Sequence, residues 1–277
     1  MPRATTARQP PTKKGEDPVT VLVTGFGPFL SKYPRNSSWE IASRLPAVLP
    51  ATLDSPTPIH ICVHHESVRV AYSHVVNFVP RVLPPQNPMT PKPDIVLHIG
   101  LAAGRDFFAL EKGSHSRGYG AIPDVDGEKF PDSTAEIRFP KSLYPSVLHT
   151  SFNTEDVLQR WKANLRSSTA DAEHEKNKTP DVRLSLDAGN FLCGFIYYNS
   201  LAHYFALEDN QRPVAFLHVP DLSNSQDLLD TGREVAIALI RSLVESRRQV
   251  GVTDDASKVV MDEERADSNP RTDANFT

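Results

Sequence analysis

One cysteine of this chain stands where a nucleophile would be expected. Cys193 follows a β-rich run at 184–189 and opens a stretch at 194–205 with helical character. A sulfur at a helix N-terminus meets unpaired N–H groups and the positive end of the helix dipole, which favour the thiolate. The same N–H groups would hold the oxyanion that forms when a carbonyl is attacked. The alternative is a small buried core residue, the commoner role of a free cysteine.

Two further residues could act with this thiol. His218 lies near the end of the apolar run 214–219, where an imidazole could take the thiol proton and return it to a leaving amine. Glu111 closes the segment that begins at Gly100, and its carboxylate could orient the imidazole and stabilise its cation. The alternatives are a hydrogen-bonded core histidine at 218 and a solvated surface acid at 111.

Metal-binding residue types crowd one predicted strand end, namely His60, His64, His65 and Glu66. Their spacing matches none of the usual zinc patterns, so we expect no metal. The Gly-x-Gly at 25–27 lacks the third glycine of a dinucleotide fingerprint, and we expect no cofactor. Cys62, which lies among these histidines in the middle of an apolar run, is predicted to pack in the core.

The elements that must position these residues follow an α/β pattern. Short β-branched runs alternate with amphipathic segments, which predicts a mostly parallel sheet with helices on both faces. Ser37, with Glu40 three residues later, predicts a capping box at the start of the first helix. We expect strands at 19–26, 59–64, 94–101, 183–191 and 214–219, and helices at 37–45, 66–83, 154–165, 194–205 and 226–246.

In sheets of this kind, ligands bind beyond the carboxyl ends of the strands. The loops at 24–29, 100–111 and 190–193 follow three predicted strands, and His218 lies near the end of another. We therefore expect the candidate residues to meet at this edge of the sheet.

Composition limits the functional classes. The 277 residues include 30 Lys and Arg against 34 Asp and Glu, so no basic surplus is available to bind nucleic acid. No run approaches the roughly 18 apolar residues of a membrane span, and the N-terminus lacks the apolar core of a secretory signal. We expect no membrane partner, a cytoplasmic location and free thiols at both cysteines. The oligomeric state stays open between monomer and homo-oligomer.

The chain is predicted to hold one domain between two polar ends. Residues 1–18 and 249–277 are charged and poor in large apolar residues. We therefore expect a disordered N-terminal arm and a disordered charged C-terminal tail around a folded domain at 19–248. A polar run at 166–180 is predicted to be a surface loop inserted in that domain.

Several blocks of the sequence, in order, resemble the pyroglutamyl peptidase I family of cysteine peptidases. They are Val-Thr-Gly-Phe-Gly-Pro-Phe (23–29), Asn-Ser-Ser-Trp-Glu (36–40), His-Ile-Gly (98–100), Leu-Glu-Lys (110–112), Asp-Ala-Gly-Asn-Phe-Leu-Cys (187–193), Tyr-Tyr (197–198) and Ala-Phe-Leu-His-Val-Pro (215–220). The resemblance implies a three-layer open α/β/α sandwich and a cofactor-free reaction. It also implies a catalytic set of Cys193, His218 and Glu111.

The family removes an N-terminal pyroglutamyl residue, so the resemblance implies peptides with that end as partners. The pyroglutamyl end is a flat γ-lactam without an ammonium group, and its recognition needs an apolar slot and hydrogen bonds to the lactam N–H and C=O. By the resemblance, Phe26 and Phe29 face the ring and Phe191 helps line the slot. Asn36 lies nearby and either binds substrate or holds the loop. The alternative for each Phe is core packing.

Three positions depart from the bacterial members of the family. Those members tend to carry Gln at the position of Leu101, Arg at that of Ala121, and Asn at that of Gly194. The catalytic set is intact, but the polar contacts to the lactam are open to rearrangement. Two other functions are therefore kept as alternatives, a non-catalytic binder of blocked N-termini and a cysteine amidase acting on another small lactam or amide.

Overall fold

The computed structural model describes residues 17–29, 31, 34–52, 55–85, 92–170, 179–207 and 211–252. The strands are β1 (Val19–Gly25), β2 (Val48–Leu49), β3 (Ile59–Val63), β4 (Ile95–Leu101), β5 (Phe108–Glu111), β6 (Gly113–His115), β7 (Val147–His149), β8 (Val182–Ser185) and β9 (Val214–Val219). The helices are α1 (Ser37–Ala42), α2 (Tyr72–Val82), α3 (Asp132–Arg138), α4 (Thr154–Ala170), α5 (Leu192–Phe205) and α6 (Gln226–Gln249).

The main sheet is mostly parallel, as predicted. Its seven strands lie in the order β2-β3-β1-β4-β9-β5-β8. Strand β2 runs antiparallel to β3, and β5 runs antiparallel to β9, while the other neighbours are parallel. Strands β6 and β7 form a separate antiparallel pair.

Helices cover both faces of the sheet because its central strands are apolar on both sides. On one face, Leu97 and Leu217 belong to a core with residues of α1, α4 and α6. Trp161 of α4 is fully buried there and donates its indole N–H to the carbonyl of Val235 in α6 at 2.9 Å. On the other face, Phe216 packs with residues of α2 and α5. The α/β fold expected from the sequence is confirmed, and its layers are those of an α/β/α sandwich.

The predicted capping box at α1 is wrong. The N-cap is Asn36, whose Oδ1 accepts the backbone N–H of Ser38 at 3.1 Å. The hydroxyl of Ser37 instead accepts the backbone N–H of Leu222, at 2.8 Å, in the loop after β9. Glu40 pairs with exposed arginines rather than with the start of the helix. Both Asn and Ser are good caps, and the contact with the β9 loop decides between them.

The strand predicted at 183–191 ends at Ser185. Beyond it the chain turns, because Gly189 has a φ of 81° and its N–H bonds to the carboxylate of Asp187 at 2.9 Å. Helix α4 continues to Ala170, so residues 166–170 of the predicted surface loop are helical. The sequence patterns did not predict strands β2, β5, β6 and β7 or helix α3.

The ends of the predicted domain are largely beyond the structural description. The arm at 1–18 is described only at 17 and 18, and the tail at 249–277 only as far as 252. Residues 171–178 of the predicted loop also lie outside the described residues. Among the helices that are described, none has the length and apolar character needed to cross a bilayer.

Candidate active site

The candidate nucleophile and base meet where β4 and β9 end. Gly100 of β4 lies beside His218 of β9 in parallel register, so both positions face the same side of the sheet. A Cβ built on Gly100 would lie 2.8 Å from Sγ of Cys193. The sulfur therefore lies over Gly100. His218 is the neighbour of Gly100 on the next strand, at a spacing of about 4.8 Å.

The lack of a side chain at Gly100 makes this approach possible. A Cβ there would also lie 2.6 Å from Cζ of Phe216, and neither atom belongs to a side chain with room to move. Helix α5 can place its first turn against the end of β4 only because residue 100 is glycine.

Cys193 is the second residue of α5, and its side chain is almost fully buried. The N–H of Phe195 bonds to the carbonyl of Phe191 at 3.0 Å, which begins the intrahelical ladder. The N–H groups of residues 192–194 therefore precede that ladder and belong to the positive end of the helix. This setting favours a thiolate at Cys193 and an oxyanion beside it.

His218 is held by a buried carboxylate. Its Nδ1 lies 2.7 Å from Oε1 of Glu111, and the two side chains are 4% and 0% exposed. This contact leaves Nε2 on the opposite side of the ring. Oε2 of Glu111 is buried and has no hydrogen-bond partner among the described residues.

Two more side chains contact Glu111. Arg105 donates from Nη1 to Oε1 at 2.8 Å and from Nη2 to the backbone oxygen of Asp187 at 3.1 Å. Tyr197 of α5 donates its hydroxyl to the backbone oxygen of Glu111 at 3.0 Å. Burial, and then the charge of Glu111, raise the pKa of Tyr197 above its usual range, so the phenol stays protonated and acts as a donor.

A small cavity opens beside Cys193. The space measures about 240 Å³ when the open solvent at its mouth is included, and it is lined by Phe26, Phe29, Asn36, Val70, Leu101, Phe191, Leu192 and Cys193. The rings of Phe29 and Phe191 lie with their centroids 6.1 Å apart. The four residues expected at the substrate therefore lie together, next to the candidate nucleophile.

Asn36 holds the loop between β1 and α1. Its Nδ2 donates to the carbonyl of Gly27 at 2.9 Å, and its Oδ1 accepts from both the N–H and the hydroxyl of Ser38. The carboxamide nitrogen carries a second hydrogen, and Asn36 is among the residues that line the cavity.

Comparison with known proteins finds pyroglutamyl peptidases. A family model described as pyroglutamyl peptidase matches residues 19–149. Pyroglutamyl-peptidase 1 of Homo sapiens is 25% identical over 83% of this chain and 91% of its own length. Pyrrolidone-carboxylate peptidase 1 of Ralstonia nicotianae is 28% identical over 84% of this chain and 97% of its own length. The pyrrolidone carboxyl peptidase structure from Thermus thermophilus superposes with a TM-score of 0.54 at 26% identity, over 82% of this chain and 99% of that one.

The chain is thus similar to pyroglutamyl peptidases, over 19–149 in the family model and over most of its length in these relatives. Pyroglutamyl peptidases are a family of hydrolases. The family model covers Glu111 and ends before Cys193 and His218. The family model therefore does not include Cys193 and His218. The structure of this chain is what brings these two residues together with Glu111.

The three departures from the bacterial members of the family have different settings. Leu101 lines the cavity, so an apolar side chain stands where those members tend to carry an amide. Gly194 has no room for a side chain, since a Cβ there would lie 2.0 Å from the backbone oxygen of Gly189. Ala121 is exposed and is not among the residues that line the cavity.

The prediction that Cys62 packs in the core is wrong. Burial alternates along β3, and Cys62 lies on the exposed side together with His60. The apolar residues next to Cys62 in the sequence belong to the inward side of the strand, and Cys62 lies on the other side. The ring of His64 lies tilted against that of His65 and meets the ring of Phe78 edge to face. Within the described ranges, no three His, Cys, Asp or Glu residues are grouped to hold a metal.

No sequence pattern predicted that Arg105 contacts the carboxylate of Glu111. Arg105 lies in the loop between β4 and β5, and its partner Asp187 is 82 residues away. No local pattern signals such a pair.

Proposed function

We propose that this chain is a member of the pyroglutamyl peptidase family, a cysteine peptidase that hydrolyses the bond after an N-terminal pyroglutamyl residue. One observation carries the proposal. The sulfur of Cys193 lies over Gly100, beside His218, and forms part of the wall of an apolar cavity. Family membership supplies the class of substrate, and the cavity supplies a place for it.

The cavity suits an uncharged ring. Phe26, Phe29 and Phe191 line it, and among the residues that the structure describes no charged side chain does. A free α-ammonium group entering such a space would lose its water without gaining a counter-ion. The lactam carries no charge and needs only hydrogen bonds for its N–H and C=O. The spare N–H of Asn36 and nearby backbone groups are suited to supply them.

The proposed reaction uses Cys193, His218 and Glu111. His218, held at Nδ1 by Glu111, takes the proton of Cys193, and the thiolate attacks the carbonyl of the pyroglutamyl residue. The N–H groups of the first turn of α5 stabilise the oxyanion. His218 then gives its proton to the leaving amine, which leaves a thioester on Cys193. Water, deprotonated by His218, hydrolyses the thioester and releases pyroglutamate.

The chain supplies all groups for this mechanism without a cofactor. They lie between Phe26 and His218, and we propose that the domain at 19–248 carries the activity. Both cysteines are free thiols, and the nucleophile must stay reduced. We therefore propose a reducing compartment such as the cytoplasm. The proposed partners are peptides that begin with pyroglutamate.

Turnover of a pyroglutamyl-linked fluorogenic amide tests the proposal. Cys193→Ser should abolish release of the fluorophore, because a hydroxyl at this site is a far weaker nucleophile than a thiolate. Cys62→Ser is the matched control and should keep wild-type turnover, since this thiol is exposed on another part of the sheet. The reverse pattern would defeat the assignment of the nucleophile.

A panel of capped amides tests the substrate. The wild-type protein should cleave the pyroglutamyl amide faster than acetyl, prolyl or cyclopentanecarbonyl amides. Faster cleavage of another capped amide would indicate an amidase of different specificity. Binding of pyroglutamyl peptides without any cleavage would indicate a non-catalytic binder.

A further inference from the structure

The carboxylate of Glu111 is completely buried and has two nitrogen partners on one oxygen. His218 Nδ1 and Arg105 Nη1 approach Oε1 at 2.7 and 2.8 Å. A carboxylate without solvent is stable as an anion only with a compensating charge. The side chain of Arg105 is 19% exposed, so its guanidinium faces the buried carboxylate from the edge of the protein.

The same guanidinium also contacts the segment that carries the nucleophile. Its Nη2 bonds to the backbone oxygen of Asp187, in the loop between β8 and α5. Asp187 in turn accepts the N–H of Gly189, whose carbonyl packs against Gly194. One planar side chain therefore joins the acid on β5 to the loop that leads to Cys193.

We infer that Arg105 is a positioning residue of the catalytic set, which fixes Glu111 for His218 and ties the Cys193 loop to this pair. The inference rests on the proposed function. It adds a residue that holds Glu111 and the loop before Cys193 at a fixed distance from each other. Its charge also opposes retention of a proton by the Glu111–His218 pair.

The charge effect has a definite sign. Among the described residues, Tyr197 of α5 contacts Glu111, and Asp187 of the preceding loop contacts Arg105 through its backbone oxygen while its carboxylate bonds to Gly189. Among the described groups that contact the Glu111 carboxylate, Arg105 carries the permanent positive charge. Without Arg105, the carboxylate of Glu111 keeps the imidazole of His218 as its partner. The Glu111–His218 pair then binds a proton more tightly. Titration of the pair then moves to higher pH, by about one unit.

Arg105→Gln is the test, and Arg183→Gln is its matched control. Arg183 stacks on the ring of Phe107, as Arg105 does, but it pairs with exposed Asp181. In Arg105→Gln, kcat should fall about tenfold to a hundredfold with a small change in KM, since orientation and not ground-state binding is lost. The limb of the pH–rate profile that reports the pair should move up by about one unit. Arg183→Gln should match the wild type in both respects.

Arg105→Lys separates the two tasks of the side chain. Lysine keeps the charge but cannot reach both Glu111 and Asp187 with one rigid fork. It should therefore restore the pH–rate profile and recover only part of kcat. This variant also serves if Arg105→Gln proves unfolded at the assay temperature in a thermal melt.

A measurement without turnover keeps this inference separate from the proposed function. Nuclear magnetic resonance of labelled histidine rings in the Cys193→Ser protein, with His218→Gln for assignment, follows the pair directly. Arg105→Gln should move the His218 titration to higher pH in that protein, whether or not the wild type cleaves pyroglutamyl amides. An unchanged His218 titration, or a kcat and pH–rate profile equal to those of Arg183→Gln, would overturn the inference.

Discussion

Two buried histidines stand near each other on the same face of the sheet, and their partners differ. His98 of β4 is in register with Phe216, two residues before His218 of β9. The ring nitrogens of His98 contact two hydroxyls, Thr24 Oγ1 at 2.7 Å and Ser200 Oγ at 2.9 Å. His218 instead contacts a carboxylate, that of Glu111.

The difference shows that burial alone does not make a histidine a general base. Burial lowers the pKa of His98 to about 3, so its ring stays neutral and joins β1, β4 and α5 through the two hydroxyls. His218 is almost as deeply buried, but the carboxylate stabilises its cation, and one nitrogen faces away from that contact. The partner therefore determines whether a buried histidine is structural or is suited to proton transfer.

The largest expected effect is on turnover. His218→Gln should lower kcat for the pyroglutamyl amide by about 10³, because no group then moves the proton of Cys193. His98→Gln keeps one donor and one acceptor for its hydroxyl neighbours and should retain most of kcat at a temperature where it is folded. Comparable losses in both variants would remove the functional distinction between the two histidines.

The next effect is on stability. His98→Leu leaves the hydroxyls of Thr24 and Ser200 buried without their ring partner and should lower the free energy of unfolding by about 2–4 kcal/mol. Urea unfolding followed by circular dichroism measures this change. His60→Leu, on the exposed side of β3, is the control and should change it by less than about 0.5 kcal/mol. A value for His98→Leu as small as that of the control would mean that His98 does not join these elements.

The smallest effect is a pH dependence of the same stability difference. The pKa of His98 is about 3 in the folded protein and has its ordinary value of 6.5 in the unfolded chain, so the unfolded chain takes up the proton first. The contribution of His98 is therefore complete above pH 6.5. It is lost as the pH falls toward 3, by about 1.4 kcal/mol per pH unit.

Urea titrations at several pH values measure this slope as the difference between wild type and His98→Leu. The advantage of the wild type should shrink from pH 6.5 to pH 4, and the other titrating groups cancel in the difference. Parallel curves for the two proteins would show that His98 is not held neutral by the fold.

The sequence identified the groups whose signals are local and missed those that depend on distant contacts. The strand at 214–219 and the helix that begins near Cys193 have strong local patterns, and both lie where expected. The Glu111–His218 contact joins residues 107 positions apart, and the Arg105–Asp187 contact joins residues 82 apart. Without the resemblance to a family, nothing local distinguished Glu111 from a surface acid, and nothing at all indicated Arg105.

Local patterns also gave errors where tertiary contacts choose between two acceptable arrangements. Asn36 and Ser37 are both suitable caps, and the contact of Ser37 with the loop after β9 leaves the cap to Asn36. Cys62 has apolar neighbours in sequence but shares the exposed side of β3 with His60. In a strand near the edge of a sheet, apolar residues on the inward side do not indicate whether residues on the outward side are buried.

Trapping the acyl-enzyme tests the central claim most directly. The wild-type protein is mixed with a pyroglutamyl ester, quenched in acid during turnover, digested and mapped by mass spectrometry. The account predicts the added mass of one pyroglutamyl group on the peptide that carries Cys193, and no such mass in Cys193→Ser. The same mass on the peptide that carries Cys62, or undiminished turnover by Cys193→Ser, would contradict it.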